Sequence, residues 1–134
     1  AGSLERMRLD SSGKLRVFNL SGTGNRAVYS DSSGNLTNSS SDGTLKSVLA
    51  EEVQGLDAVL AMNPVKFNWI DTDKMGEQVE VGFIAQEMAE VVPEVVEQNA
   101  DETYTIDYPK LVAIQAKAIQ ELTARVAALE GVQQ

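Results

Sequence analysis

A chain of 134 residues carries 11 Lys and Arg against 20 Asp and Glu, a formal charge of −9 with no His and no Cys. The acidity argues against a nucleic-acid partner, and without His or Cys there is no disulfide frame, no zinc site of the usual ligands, no Cys nucleophile and no His-based triad. No apolar run approaches the roughly 20 residues of a membrane span and no charged-then-apolar leader opens the chain, so it reads as one soluble domain's worth of sequence without membrane insertion.

Residues 1–40 are rich in Gly, Ser and Asn and hold an internal repeat: Asp10-Ser11-Ser12-Gly13-Lys14-Leu15 recurs as Asp31-Ser32-Ser33-Gly34-Asn35-Leu36. Met7 and Leu9 alternate with polar residues before the first Gly turn, and Leu15 and Val17 do so after it, the period of short strands. Two similar hairpins are expected. Strands with so little apolar surface are marginal alone, so either this segment is a flexible tether or, the favoured expectation, partner chains complete its sheet.

From Leu45 the spacing becomes helical, with Leu45, Leu49, Val53, Leu56 and Leu60 at three- and four-residue steps until Asn63-Pro64 stops the run. Val65, Phe67 and Trp69 then alternate, as do Val79, Val81 and Phe83, which predicts a hairpin across the polar stretch 71–78. A short helix is expected over Ala85–Val91, ended before Pro93, and a strand over Tyr104–Tyr108. Asp71-Thr72-Asp73-Lys74-Met75-Gly76 begins like a calcium loop, but Met75 and Gly82 stand where further carboxylates are needed, so it reads as a polar turn. The acids Glu94, Glu97, Asp101 and Glu102 read as a solvated loop, and no metal or cofactor is implied.

In the last segment Val112, Ile119 and Val126 lie seven apart, and Gln115, Leu122 and Leu129 repeat the step three residues later. These are a and d positions of a short coiled coil, with Arg125 and Glu130 placed to pair between helices. The pattern predicts self-association; β-branched a positions with Leu at d favour two strands, the Gln115 layer says little about number, and the heptads alone do not give a trimer. The alternative is a surface helix packed on its own domain.

Without His or Cys, the available nucleophilic pair is Ser with Lys, and Ser41-Asp42-Gly43-Thr44-Leu45-Lys46 offers one. Spacing alone favours a turn and helix cap here, because Lys46 becomes a base only when withdrawn from water.

Ser41-Asp42 with Leu45-Lys46 also resembles the Ser-Asp-x-x-Leu-Lys opening of the intramolecular chaperone domain that ends phage tailspikes, tail fibres and neck appendages. Later blocks follow in order: Val81-Gly82-Phe83-Ile84-Ala85-Gln86-Glu87, then Val92-Pro93-Glu94-Val95-Val96, then Tyr108 and Leu111-Val112 leading into Ile119-Gln120-Glu121-Leu122. The resemblance implies a homotrimer that guides folding of the fibre preceding it and then cuts the bond between Ser40 and Ser41. Ser41 would be the nucleophile, Lys46 the general base and Asp42 a supporting motif residue, an autopeptidase acting once on its own chain. It implies a virion location, in a tail fibre or spike assembled in the host cytoplasm, with a bacterial surface fibre as the alternative. Thr44 stands where many members carry Arg, so a non-cleaving structural cap or adhesin tip, with Ser41 as a helix cap, is the competing expectation.

The expected fold class is α+β. A β-rich trimeric stem over residues 1–40 leads to a small α+β chaperone domain over 41–108 and a helix over 109–134 that forms a trimeric coiled coil. Trp69, Phe67, Phe83, Val81, Leu49, Val53 and Leu56 are the expected protomer core, and Val112, Gln115, Ile119, Leu122, Val126 and Leu129 the expected trimer interface.

Overall fold

The computed structural model describes residues 5–20, 23, 27–38 and 41–132. The chain is α+β, with four short antiparallel strand pairs and a long C-terminal helix, and it divides into two compact units, residues 1–49 and 50–134.

The first unit holds both predicted Gly turns. Strands β1 (Met7–Leu9) and β2 (Leu15–Val17) pair around one, β3 (Val28–Ser30) and β4 (Leu36–Asn38) around the other. Each turn is built by its aspartate. Asp10 Oδ1 accepts from the backbone N–H of Ser12 and of Lys14, both at 3.0 Å, and Asp31 Oδ1 accepts from Ser33 at 2.9 Å and Asn35 at 2.8 Å. Gly13 and Gly34 close the turns in the left-handed region, at φ 79° and 78°, where a Cβ is disfavoured. A 3-10 turn at Phe18–Leu20 lies against β4. No described residue of this unit is buried.

In the second unit, helix α1 runs only from Leu56 to Ala61. The helix predicted from Leu45 therefore does not form over 46–55, and Leu49 and Val53 stay exposed rather than entering the core. Leu49 and Val53 of that segment are exposed among the described residues, and an isolated helix of this length is marginal in water. Gly55 then sets the start of α1. Strands β5 (Val65–Phe67) and β6 (Glu80–Gly82) form the predicted hairpin, and the stretch between them contains a helical turn, α2 (Thr72–Met75).

The core centres on α3 (Ala85–Val91) and the 3-10 turn Pro93–Val95 that follows it. Met88, Val92 and Val95 are almost fully enclosed, packed with Ala58 of α1 and with Leu111 and Ile114 of α4 (Tyr108–Val132). Of the predicted core only Leu56 is buried, with Phe83 partly buried against the cluster and Phe67 half-buried. Register explains why Val81 is not: it pairs with Lys66 on the face of the hairpin opposite to Phe67, and is 71 % exposed. Trp69 lies past the end of β5, edge-on to Phe67 at 5.3 Å between centroids, and is also exposed. Strands β7 (Val96–Gln98) and β8 (Tyr104–Ile106) form the last hairpin, and Asp107 N–H donates to the Val95 carbonyl at 2.8 Å where the chain turns into α4. The strand predicted to Tyr108 stops at Ile106. Tyr108 and Pro109 open the helix, where proline's missing N–H costs nothing.

Candidate functional site

The Ser-Lys pair sits where the chain leaves the second hairpin. Asp42 caps a 3-10 turn over Gly43–Leu45, its Oδ1 accepting from Thr44 N–H at 2.9 Å and from the Thr44 hydroxyl at 2.8 Å. Leu45 N–H donates to the Asp42 carbonyl and Lys46 N–H to the Gly43 carbonyl, after which Lys46 is extended at φ −123°, ψ 138°. That turn folds residue 46 back beside residue 41, and Lys46 Nζ donates to Ser41 Oγ at 2.9 Å. A spacing of five is thus what one tight turn brings together.

Several predicted roles change in detail. The cap of the turn is Asp42, not Ser41, so the hydroxyl of Ser41 is left to meet Lys46. The two hydrogen bonds from Thr44, backbone first, hold the Asp42 carboxyl below its usual range. Thr44 therefore strengthens the turn through its hydroxyl. Ser41 and Lys46 are both exposed in the single chain, while Ser40, on the other side of the predicted cut, lies outside the described residues. The same Asp-x-Ser/Thr device recurs at Asp101, whose Oδ1 accepts from Thr103 N–H and hydroxyl. It is a recurrent local turn former in this chain, at Asp10, Asp31, Asp42 and Asp101.

The later motif blocks build the second unit. Gly82 is required because a Cβ there would meet the Tyr108 hydroxyl at 2.7 Å, and that hydroxyl accepts from Phe83 N–H at 3.3 Å. Glu121, on α4, accepts from the Leu56 N–H at 2.7 Å and so caps α1, whose own Gly55 has no side chain to do it. A Cβ on Gly55 would collide with the Glu121 carboxylate. Lys117 Nζ lies 3.7 Å from Glu121, and Arg125 reaches Asp57 at 3.3 Å, so this arginine has a partner within its own chain.

Helix α4 uses two stripes. Leu111, Ile114 and Ala118 are buried, continuing into Glu121 and Arg125 against α1. The heptad residues fall roughly a quarter turn away, at about 100° per residue, and remain open. Val112, Ile119, Leu122, Val126 and Leu129 are 44–69 % exposed, with Gln115 exposed among them. One stripe therefore packs on its own domain, as the surface-helix alternative expects, and the heptad stripe is exposed in the single chain. A groove lined by Met62, Phe83, Ile84, Met88 and Val91 has Glu87 on its rim, hydrogen-bonded by Asn63 Nδ2 at 3.0 Å, and holds no nucleophile. Asp71 of the calcium-like stretch accepts from Lys74 N–H and so caps α2. Among the described residues no cluster of acidic side chains is placed to hold a metal, and no helix is long and apolar enough to cross a membrane.

The chain thus presents a Ser-Lys pair on a tight turn, followed in sequence by a small α+β unit whose last helix leaves an apolar heptad face exposed. Residues 41–97 match the peptidase family described as chaperone of endosialidase. The match begins at Ser41 and takes in the hairpin, α3 and the Pro93 turn. A comparison with curated proteins finds no match.

Proposed function

We propose that the chain is the end of a phage-type fibre or spike, in which residues 41–134 form an intramolecular chaperone that trimerises through α4, guides folding of the fibre part before it, and frees itself by cutting between Ser40 and Ser41. The observation that carries the cleavage reading is the 2.9 Å contact of Lys46 Nζ with Ser41 Oγ at the motif spacing, inside the stretch that matches the family. The open heptad stripe of α4 supports the assembly reading.

In this reaction Lys46, once deprotonated, takes the hydroxyl proton of Ser41 as Oγ bonds to the carbonyl carbon of Ser40. The bond from that carbon to the Ser41 nitrogen breaks, and the nitrogen receives the proton. An ester joins Ser40 to Ser41 Oγ. Water opens it, leaving a carboxylate on Ser40 and a free hydroxyl and α-amino group on Ser41. As placed, Lys46 donates to the hydroxyl from an exposed position. Its activation needs withdrawal from water, because desolvation disfavours the ammonium. Cover from other copies supplies this, so cutting follows assembly. The second reading, a cap that trimerises and does not cut, is favoured by Thr44 in place of the usual Arg.

Intact-mass spectrometry over several days separates the two. The proposal expects fragments 1–40 and 41–134 from the wild type and neither from Ser41→Ala or Lys46→Ala. A wild-type chain that stays whole while trimeric leaves the non-cleaving cap.

A further inference from the structure

The repeat in the first unit reaches well beyond its six-residue turn motif. Strand pairing in the first hairpin is Met7 with Val17, Arg8 with Arg16 and Leu9 with Leu15, and in the second Val28 with Asn38, Tyr29 with Thr37 and Ser30 with Leu36. Every member of the second set stands 21 places after its counterpart, from Met7 and Val28 to Val17 and Asn38. The turns match as well, in the aspartate hydrogen bonds and in the left-handed glycine. These are two copies of one supersecondary unit in one register.

Alternation along the strands sorts each hairpin into two faces. One face of the first hairpin is wholly apolar, made by Met7, Leu9, Leu15 and Val17, and the equivalent face of the second keeps Val28 and Leu36. Within the chain these faces are largely open, with Leu9 70 % and Leu15 59 % exposed and only Val17 half-buried, while the Phe18–Leu20 turn lies against β4. The opposite face of the first hairpin sets Arg8 directly across from Arg16, each with its guanidinium 6.0 Å from the Phe18 ring. Arg8 is ion-paired with Glu5, so this side of the hairpin carries two guanidinium groups and one carboxylate, all of which require water.

A repeat that cannot bury its apolar face alone does so by stacking against other units. Charge decides which face. Copies meeting on the Arg8–Arg16 face would bury these charged groups, whereas copies meeting on the Leu9–Leu15 face bury no charge. We infer that the 21-residue hairpin is the repeating unit of a fibre stem, and that its apolar face, carried by Met7, Leu9, Leu15, Val17, Val28 and Leu36, is covered by the same hairpins of other copies of this chain. This rests on the reading that copies assemble, and it adds a second, separate contact to the one along α4.

The chain has no cysteine, so single cysteines can be placed in the full-length protein without background. Leu15→Cys and Leu36→Cys, treated with a short bifunctional maleimide, are expected to give covalent dimers on a denaturing gel, with none above background from Arg16→Cys. Failure of both apolar-face variants to link overturns the inference, as does equal linking from Arg16→Cys. Ile119→Cys, in α4, reports separately on the assembly itself. If it links and the hairpin variants do not, the hairpin inference alone falls; if none links, the assembly reading falls with it.

Discussion

The two units of this chain spend their apolar residues differently. Residues 56–118 enclose Met88, Val92 and Val95 with side chains from α1, α3 and α4, so this part of the molecule carries a core of its own. Residues 5–38 also offer alternating apolar positions, yet Met7, Leu9, Leu15, Val28 and Leu36 are all exposed. The difference teaches that apolar patterning reports a face without saying which molecule covers it. Helix α4 shows both answers on one element, with Leu111 and Ile114 buried at home and Ile119 and Leu122 left open.

The largest effect expected within the self-sufficient half comes from its centre. Met88→Ala should lower stability by about 2–5 kcal/mol, the usual cost of emptying a packed core site, read by chemical denaturation at fixed chain concentration. Loss of well under this amount would mean that Met88 is not the centre of the core. A smaller effect should come from Glu121→Ala, which removes the cap on α1 and should cost about 1 kcal/mol, with faster amide exchange at Leu56 while exchange at Val92 is unchanged. Unchanged exchange at Leu56 would remove the link between α4 and α1.

The smallest effect concerns the exposed half and its pH dependence. Asp10 is held below its usual value by hydrogen bonds from the Ser12 hydroxyl and the Lys14 backbone, and Asp31 likewise by the Asn35 side chain and backbone. Folded values depressed in this way stabilise the turns above the unfolded carboxylate value of about 3.9, and that stability is lost as pH falls through the folded values. Acidification below about pH 4 should therefore loosen the Ser12 and Ser33 amides first, with those of the Met88–Val95 core following later. Simultaneous loss would show that the two halves are not independent in this respect.

Local features of the sequence translated well. The Gly turns and the helix over Ala85–Val91 depend on residues within a few positions of one another, so spacing sufficed, whereas for Lys46 and Ser41 spacing alone favoured a cap and only the resemblance pointed to the pair. The run from Leu45 to Leu60 misled because helical spacing needs a packing surface, and Leu49 and Val53 are exposed among the described residues. Gly55 marked the true start of α1, but its reason lies 66 residues away in Glu121, with no local trace. The expected core of Trp69, Phe67, Phe83, Val81, Leu49, Val53 and Leu56 retains only Leu56 as buried. The Val92-Pro93-Glu94-Val95 turn instead points two valines inward, and register turns Val81 outward.

The claim on which the rest depends is that a single chain is an incomplete unit. Light scattering on the Ser41→Ala protein, in which cleavage cannot alter the mass, tests it most directly. The account predicts three times the 14.4 kDa of one chain, falling to one chain when Ile119→Asp and Leu122→Asp are added. A Ser41→Ala protein of single-chain mass, or a multimer indifferent to those two aspartates, would contradict it.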